Sequence, residues 1–350
     1  MQKRSVFFAL FLIMALMLSA CEAPAAPAPA APAAGDAPAA EAPAAAGSGE
    51  TLSIATGGTG GVYYPTGGGY AQVIDQFVPG YTAAVEVTNA SVENVGLISR
   101  GDADFALALA DTVLAAYEGT GRFGPEGELP QLPNLRVITI AYANAVHIIT
   151  LDGSGIESLA DLVGKRVSVG APGSGTELSA ETILNANGIT YDDFDVQRLS
   201  VNETADALRD GAIDAGFWSG GVPTGGVLSL AETRQIKLIS LSDEEVANIR
   251  AADITFIPYT FPADSYRGIE ASPSVGTPNL LIVAAEMDEE LAYNFTKALF
   301  ENIDVVRGIH PSANETVPEV VVNSPVPLHP GAIRYFEEIG ISIPDSLKVD

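Results

Sequence analysis

From residue 51 onward, apolar positions recur with two periods, and the switch between them separates strands from helices. Leu52, Ile54 and Ala55 form a short β-like run. Tyr70, Val73, Ile74 and Phe77 then fall at i, i+3, i+4 and i+7, one face of an amphipathic helix. Between the two lies the loop Gly57-Gly58-Thr59-Gly60-Gly61, and Pro65 stands where the start of a helix tolerates proline. The same order of parts returns further on. Arg166-Val167-Ser168-Val169 enters a second loop, Gly170 to Thr176, and a helix through Ala180, Ile183 and Leu184 closes at Gly188.

Each copy continues into another helix that ends in one small signature: an aliphatic residue, a glycine three positions on, and an aspartate three after that. These are Ile98, Gly101, Asp104 and Leu208, Gly211, Asp214. The glycine supplies the left-handed residue that stops a helix, and Phe105–Leu109 or Ala215–Trp218 then reads as a strand. Ser91 and Asn202 are expected as N-caps of these helices. Strand, glycine loop, helix, strand, helix, strand, twice over, predicts two parallel-stranded α/β lobes. Such sheets bind ligands at the carboxyl ends of their strands. Two lobes facing each other place two helix N-termini, with unpaired amides and positive dipole ends, across one cleft, and a small carboxylate suits that environment.

Val137–Leu151 is apolar and β-rich, interrupted by Asn144 and His147, and is expected to cross from the first lobe to the second. A return crossing is expected within Pro258–Pro278, followed by a strand at Leu280–Ala284 and a helix from Asp288 through Leu291, Phe295 and Leu299. A last helix, Pro330–Ile339, closes at Gly340 and completes the first lobe.

The N-terminal end follows a different logic. Lys3 and Arg4 precede a 13-residue apolar run, Val6–Leu18, too short for a membrane-spanning helix of about 20 residues. With small residues before Cys21, the only cysteine in the chain, the segment resembles a bacterial lipobox, in which Cys21 becomes the acylated first residue. The other reading is an ordinary cleaved signal with an incidental cysteine. Glu22–Glu50 contains only Ala, Pro, Gly, Glu, Asp and Ser, with no large apolar group to bury, and reads as a disordered, partly extended tether. The expected organisation is a signal peptide over 1–20, a tether over 21–50, lobe I over 51–143 plus 276–350, and lobe II over 144–275. The net charge of −27 opposes binding to nucleic acid and to anionic headgroups, and leaves an anionic ligand dependent on a local site.

Leu52 to Tyr70 (LSIATGGTGGVYYPTGGGY) resembles the N-terminal signature of the TAXI solute receptors of TRAP transporters. Ser158–Thr176, Leu208–Phe217, the Tyr266-Arg267-Gly268 region and Val275–Asn302 are similar to the same family, in the same order. The resemblance implies a two-lobed periplasmic binding protein-like fold of type II, two three-layer α/β lobes joined by a hinge. It further implies a receptor that closes on a small organic acid such as glutamate, glutamine or a 2-oxo or C4 dicarboxylate and delivers it to an ion-driven membrane permease. The expected partners are that ligand, the TRAP permease and the bilayer reached through acylated Cys21. An extracytoplasmic location and a monomeric chain are expected, with no cofactor, metal or nucleic acid. A binding protein of an ABC importer or of a membrane sensor has the same fold and is the alternative.

The first lobe offers Thr56, Gly57, Thr59, Gly60 and Tyr63 as ligand contacts, and the second Ser174, Gly175 and Thr176. Glycines admit close backbone approach, and hydroxyls add donors beside the amides. Ser91, Asp111 and Ser219 fall at the same edge of their lobes; Asp111 suits a ligand amino group or an N-cap. Gly67, Gly68 and Gly69 serve either helix packing or a ligand, and His147 is expected to be a satisfied buried histidine. Neither glycine loop contains a basic residue, so Arg100, Lys165, Arg166 or Arg198 would have to reach in from elsewhere.

An enzyme needs a different pattern. Gly58-Thr59-Gly60 is followed by Tyr63 where a dinucleotide fingerprint requires glycine, and Gly164-Lys165 is followed by Arg166 without the upstream glycine of a P-loop. Ser174 has Pro172 and Thr176 at the two positions where a nucleophile elbow has glycine, and His147, His310 and His329 make no zinc pattern.

Overall fold

Both βαβαβ units form. The computed structural model describes residues 49–349; the leader, Cys21 and all of the tether but its last two residues lie outside them. The first unit runs β1 (Glu50–Ala55), α1 (Tyr63–Phe77), β2 (Tyr81–Glu86), α2 (Ser91–Arg100) and β3 (Phe105–Leu109), and α3 (Ala110–Glu118) leaves β3 directly. After β4 (Leu135–Leu151), the second runs β5 (Arg166–Ser168), α4 (Gly175–Ala186), β6 (Asp195–Gln197), α5 (Val201–Arg209) and β7 (Ala215–Gly220). Then come α6 (Gly225–Thr233), β8 (Ile236–Leu238), α7 (Asp243–Ala252), β9 (Ile257–Phe261) and β10 (Ser272–Ala284). The chain ends with α8 (Glu289–Glu301), α9 (Ile303–Arg307) and α10 (Pro330–Glu338). Gly101 and Gly211 take φ of 72° and 70°, the left-handed conformation expected after α2 and α5.

The N-caps differ from expectation. Ser200, not Asn202, caps α5: its Oγ accepts from Glu203 N while the Glu203 carboxylate accepts from Ser200 N, a reciprocal capping box. Ser91 is the first residue of α2 rather than its cap, and its Oγ accepts from Leu109 N at 3.1 Å.

β1 pairs parallel with β2 and β3, and β5 parallel with β6 and β7. To these parallel strands are added the crossing strands β4 and β10, which run antiparallel to each other and to the strands they join. The order is β2-β1-β3-β10-β4-β7-β5-β6, with β8 on β4 and β9 on β10. The return crossing is thus one long strand, β10, which begins at Ser272, earlier than expected, and runs through Pro273 and Pro278. Pro278 has no amide to donate, and the β4 register shifts between Pro278 and Leu280. Asn279 bridges the gap: its Nδ2 donates to Tyr142 O at 3.0 Å and Asn144 Oδ1 at 2.7 Å.

Apolar burial divides at that crossing. One cluster joins Leu52–Tyr142 to Leu280–Leu347. Beyond it, alternate residues of β4 enter separate clusters: Val146 and Ile148 pack with α4 and α7, Ala145 and Ile149 with α5 and α6. Side chains alternate across a strand, so helices cover both faces of this sheet in three layers.

Candidate functional site

The strand order brings the carboxyl ends of β1, β3, β5 and β7 to one gap, a cavity of about 380 Å³, within the ordinary range of small-molecule sites of about 300–1,000 Å³. Four helices begin on it: α1 behind the loop Gly57–Val62, α2 at Ser91, α4 at Ser174-Gly175-Thr176, and α5 at Ser200–Glu203. The first amides of a helix have no intrahelical acceptor, and each start carries roughly half a positive charge. Among the described residues, no lysine or arginine lines the cavity. The one carboxylate among the described lining residues, Glu203, is exposed and engaged with Ser200 N at 2.8 Å, which holds its pKa below the usual glutamate value.

Of the residues expected from sequence, Gly57, Thr59, Gly60, Tyr63, Ser91, Ser174, Gly175, Thr176 and Ser219 are brought together on this cavity. Ser219 is 6% exposed and its buried Oγ has no hydrogen-bond partner among the described residues, while its amide donates to Thr176 Oγ1 at 3.2 Å. Ser174 Oγ accepts from Glu177 N at 3.1 Å and caps α4. The Tyr63 hydroxyl donates to Asn279 Oδ1, and burial pushes the phenol pKa far up, so it stays a neutral donor.

Thr56 and Asp111 are not among the lining residues. Thr56 is spent on the sheet: its amide and Oγ1 both donate to Glu86 O, at 3.0 and 2.6 Å. Asp111 is the second residue of α3, neither its N-cap nor at the cavity; Oδ1 accepts from Thr112 N at 2.6 Å, and Oδ2 accepts from Ser179 Oγ of α4 at 2.5 Å. Burial, partly opposed by these hydrogen bonds, raises its pKa to about 6. Arg100, Arg166 and Arg198 pair with Asp102, Asp214 and Glu177; they and Lys165 are absent from the lining.

The glycines separate into two kinds. A Cβ at Gly67 would lie 2.4 Å from Thr56 Cγ2, and one at Gly69 3.3 Å from Ile309, so both serve the packing of α1, while Gly68 faces open space. A Cβ at Gly60 would lie 2.1 Å from Asn202 Oδ1, and one at Gly175 2.5 Å from Ser91 Oγ. Gly60 O also accepts from Gly226 N at 3.1 Å. These two glycines let the first βαβαβ unit meet the second.

Sequence reasoning did not single out Thr88, Asn89, Ser200 or Glu203 as lining residues, and treated Asn144, Asn202 and Trp218 in other roles; all line the cavity. The Ser200-x-x-Glu203 capping box was the available signal for the α5 start. Behind Trp218, fully buried His147 presents Nε2 to the Tyr266 hydroxyl at 2.7 Å and Nδ1 to Ala145 O and Trp218 O at 3.0 and 3.1 Å, a satisfied core histidine as expected. The Tyr266 hydroxyl accepts in turn from Thr224 N at 2.9 Å. Two carbonyls facing Nδ1 require the proton there, leaving Nε2 to accept from tyrosine. Burial lowers the His147 pKa to about 4.

Two α/β lobes joined by antiparallel crossing strands, with a cavity at the strand ends between them, define the two-lobed periplasmic binding protein-like fold of type II. A family model described as the NMT1-like family matches residues 54–340, and the chain belongs to that family. Among solved structures, it is similar to a protein from Bordetella bronchiseptica RB50 at 17% identity, covering 86% of this chain and 92% of that one with a TM-score of 0.50. It is also similar to the ligand binding component of an ABC-type import system from Staphylococcus aureus with zinc bound, at 10% identity, 86% and 96% coverage and a TM-score of 0.47. The periplasmic aliphatic sulphonate binding protein SsuA from Escherichia coli matches at 13% identity, 83% and 84% coverage and a TM-score of 0.41. At 17% identity the likeness to the Bordetella protein concerns the fold alone. No helix among the described residues is long and apolar enough to cross a membrane.

Proposed function

We propose that the chain is an extracytoplasmic solute receptor of a TAXI-type TRAP transporter. It takes glutamate, glutamine or a 2-oxo or C4 dicarboxylate into the cavity between its lobes and hands it to a membrane permease. One observation carries the ligand class: four helix starts border one cavity that, among the described residues, has no basic side chain. Backbone amides and helix dipoles there replace an arginine, with Ser91, Ser174, Thr176 and Ser219 as hydroxyl partners. The resemblance of Leu52–Tyr70 and the later segments to TAXI receptors supports the choice of transporter. We place lobe I at 51–143 plus 276–350 and lobe II at 144–275, a division supported by the change of apolar cluster along β4 and β10. Acylated Cys21 would hold the protein at the membrane.

The test is thermal unfolding of the full chain against a panel of these acids, sugars and divalent metals. A ligand that binds only the folded state raises the midpoint. One or more of the carboxylates should do so; shifts with sugars or metals alone would remove the ligand class. An adjacent gene for a large multi-span permease without an ATPase supports the TRAP assignment, and an adjacent ATPase the ABC alternative.

A further inference from the structure

The start of α4 forms one wall of the cavity, and its next turns are held by side chains from the other lobe. Arg122, in the loop between α3 and β4, donates from Nε and Nη2 to Glu181 Oε2 at 2.9 and 2.6 Å, and its Nη1 lies 3.3 Å from Glu177 Oε2. The loop presents Arg122 on a fixed backbone. Phe123 is buried in the first apolar cluster, Leu129 N donates to Arg122 O at 2.9 Å, and Gly124 N to Leu129 O at 2.7 Å. The Glu177 side chain is 5% exposed, and its carboxylate also accepts from Arg198 Nε at 2.7 Å and Gly173 N at 3.0 Å. These bonds and the two arginines keep its pKa low against burial, so its charge persists beside the helix start.

That charge would repel an anion held by the amides of Gly175 and Thr176, and among the described residues only Arg122 reaches it from across the gap. A rigid domain motion that separates the lobes removes this arginine and leaves the Glu177 carboxylate with Arg198 and the amide of Gly173. We propose that Arg122, acting through Glu177 and Glu181, is a positioning residue: a clasp that favours the closed lobes and screens the anion site without touching the ligand. The idea rests on the binding role proposed above.

Trp218 supplies a readout that needs no ligand. It is the only tryptophan, it is half-buried, and a Cβ on Gly61 of the facing lobe would lie 3.1 Å from its ring. In the ligand-free full chain, Arg122→Gln should make Trp218 more accessible to acrylamide, and Arg122→Lys should restore part of the protection. Glu181→Gln, at a partly exposed position, should act in the same direction, and combining it with Arg122→Gln should add little. With a panel carboxylate bound, Arg122→Gln should raise Kd by about tenfold, mainly through koff, with the ranking of ligands unchanged. Unchanged quenching in both Arg122→Gln and Glu181→Gln would overturn the clasp, as would an altered ligand ranking, which would mean that Arg122 touches the ligand. If no carboxylate binds the unmodified chain, the ligand class falls while the quenching comparison still decides the clasp.

Discussion

Replacing Asp111 by asparagine should stabilise the protein above neutral pH and leave it unchanged near pH 4. The carboxyl is fully buried between α3 and α4, and its pKa is raised to about 6 from the ordinary 3.8, chiefly by burial, with Ser179 and Thr112 opposing and the charge of Asp253 adding. A folded-state pKa above the unfolded one contributes stability that is fully present below pH 3.8 and is lost as pH rises through about 6. Roughly two pH units at 1.36 kcal/mol each put the loss at about 3 kcal/mol. Asparagine has nearly the same shape and keeps an acceptor for Thr112 N, but cannot ionise. His147 works in the opposite sense. Its pKa is lowered to about 4 from 6.5, so its contribution is lost as pH falls from 6.5 towards 4, again by about 3 kcal/mol. From these two groups alone, the parent should vary little between pH 4 and 6, whereas Asp111→Asn should gain stability steadily as pH rises across that window. The assay is denaturant unfolding of both full chains from pH 4 to 8; groups common to the two cancel in the difference. A difference that stays constant across this range would refute the reasoning.

Gly175→Ala should weaken ligand binding by tenfold or more, because the new Cβ would strike Ser91 and Leu109 when the lobes meet; Gly60→Ala, whose Cβ meets only the end of the exposed Asn202 side chain, should weaken it less. Their unfolding midpoints should fall far less than their affinities; calorimetry beside thermal unfolding separates the two. Gly68→Ala, which meets nothing within 4 Å, should raise stability by about 0.5–1 kcal/mol with no change in binding.

The duplicated βαβαβ order was legible because its signals are local. Apolar periods, the capping glycines Gly101 and Gly211, and the two glycine loops sit within a few residues of the structure they specify. Nine of the expected contacts line the cavity because the end of a strand and the start of the next helix place them there. The remainder depends on partners distant in sequence. Asp111 sits at the proper edge of its lobe, yet Ser179 draws it to α4, and nothing near Arg122 announces Glu177 and Glu181. The antiparallel course of β10 was masked by Pro273 and Pro278, which argue against a strand until Asn279 is seen to bridge the register shift. The three glycines of α1 had two readings until the side chains of Thr56 and Ile309 were placed against them.

The most direct measurement is a crystal structure of the full chain grown with whichever carboxylate raises its melting temperature. The account predicts the ligand in the cavity, its carboxylate oxygens within hydrogen-bond distance of backbone amides at the start of α4 and of a helix start from the facing lobe. A ligand on an outer surface, or a carboxylate paired with Arg122 or Arg198, would contradict it.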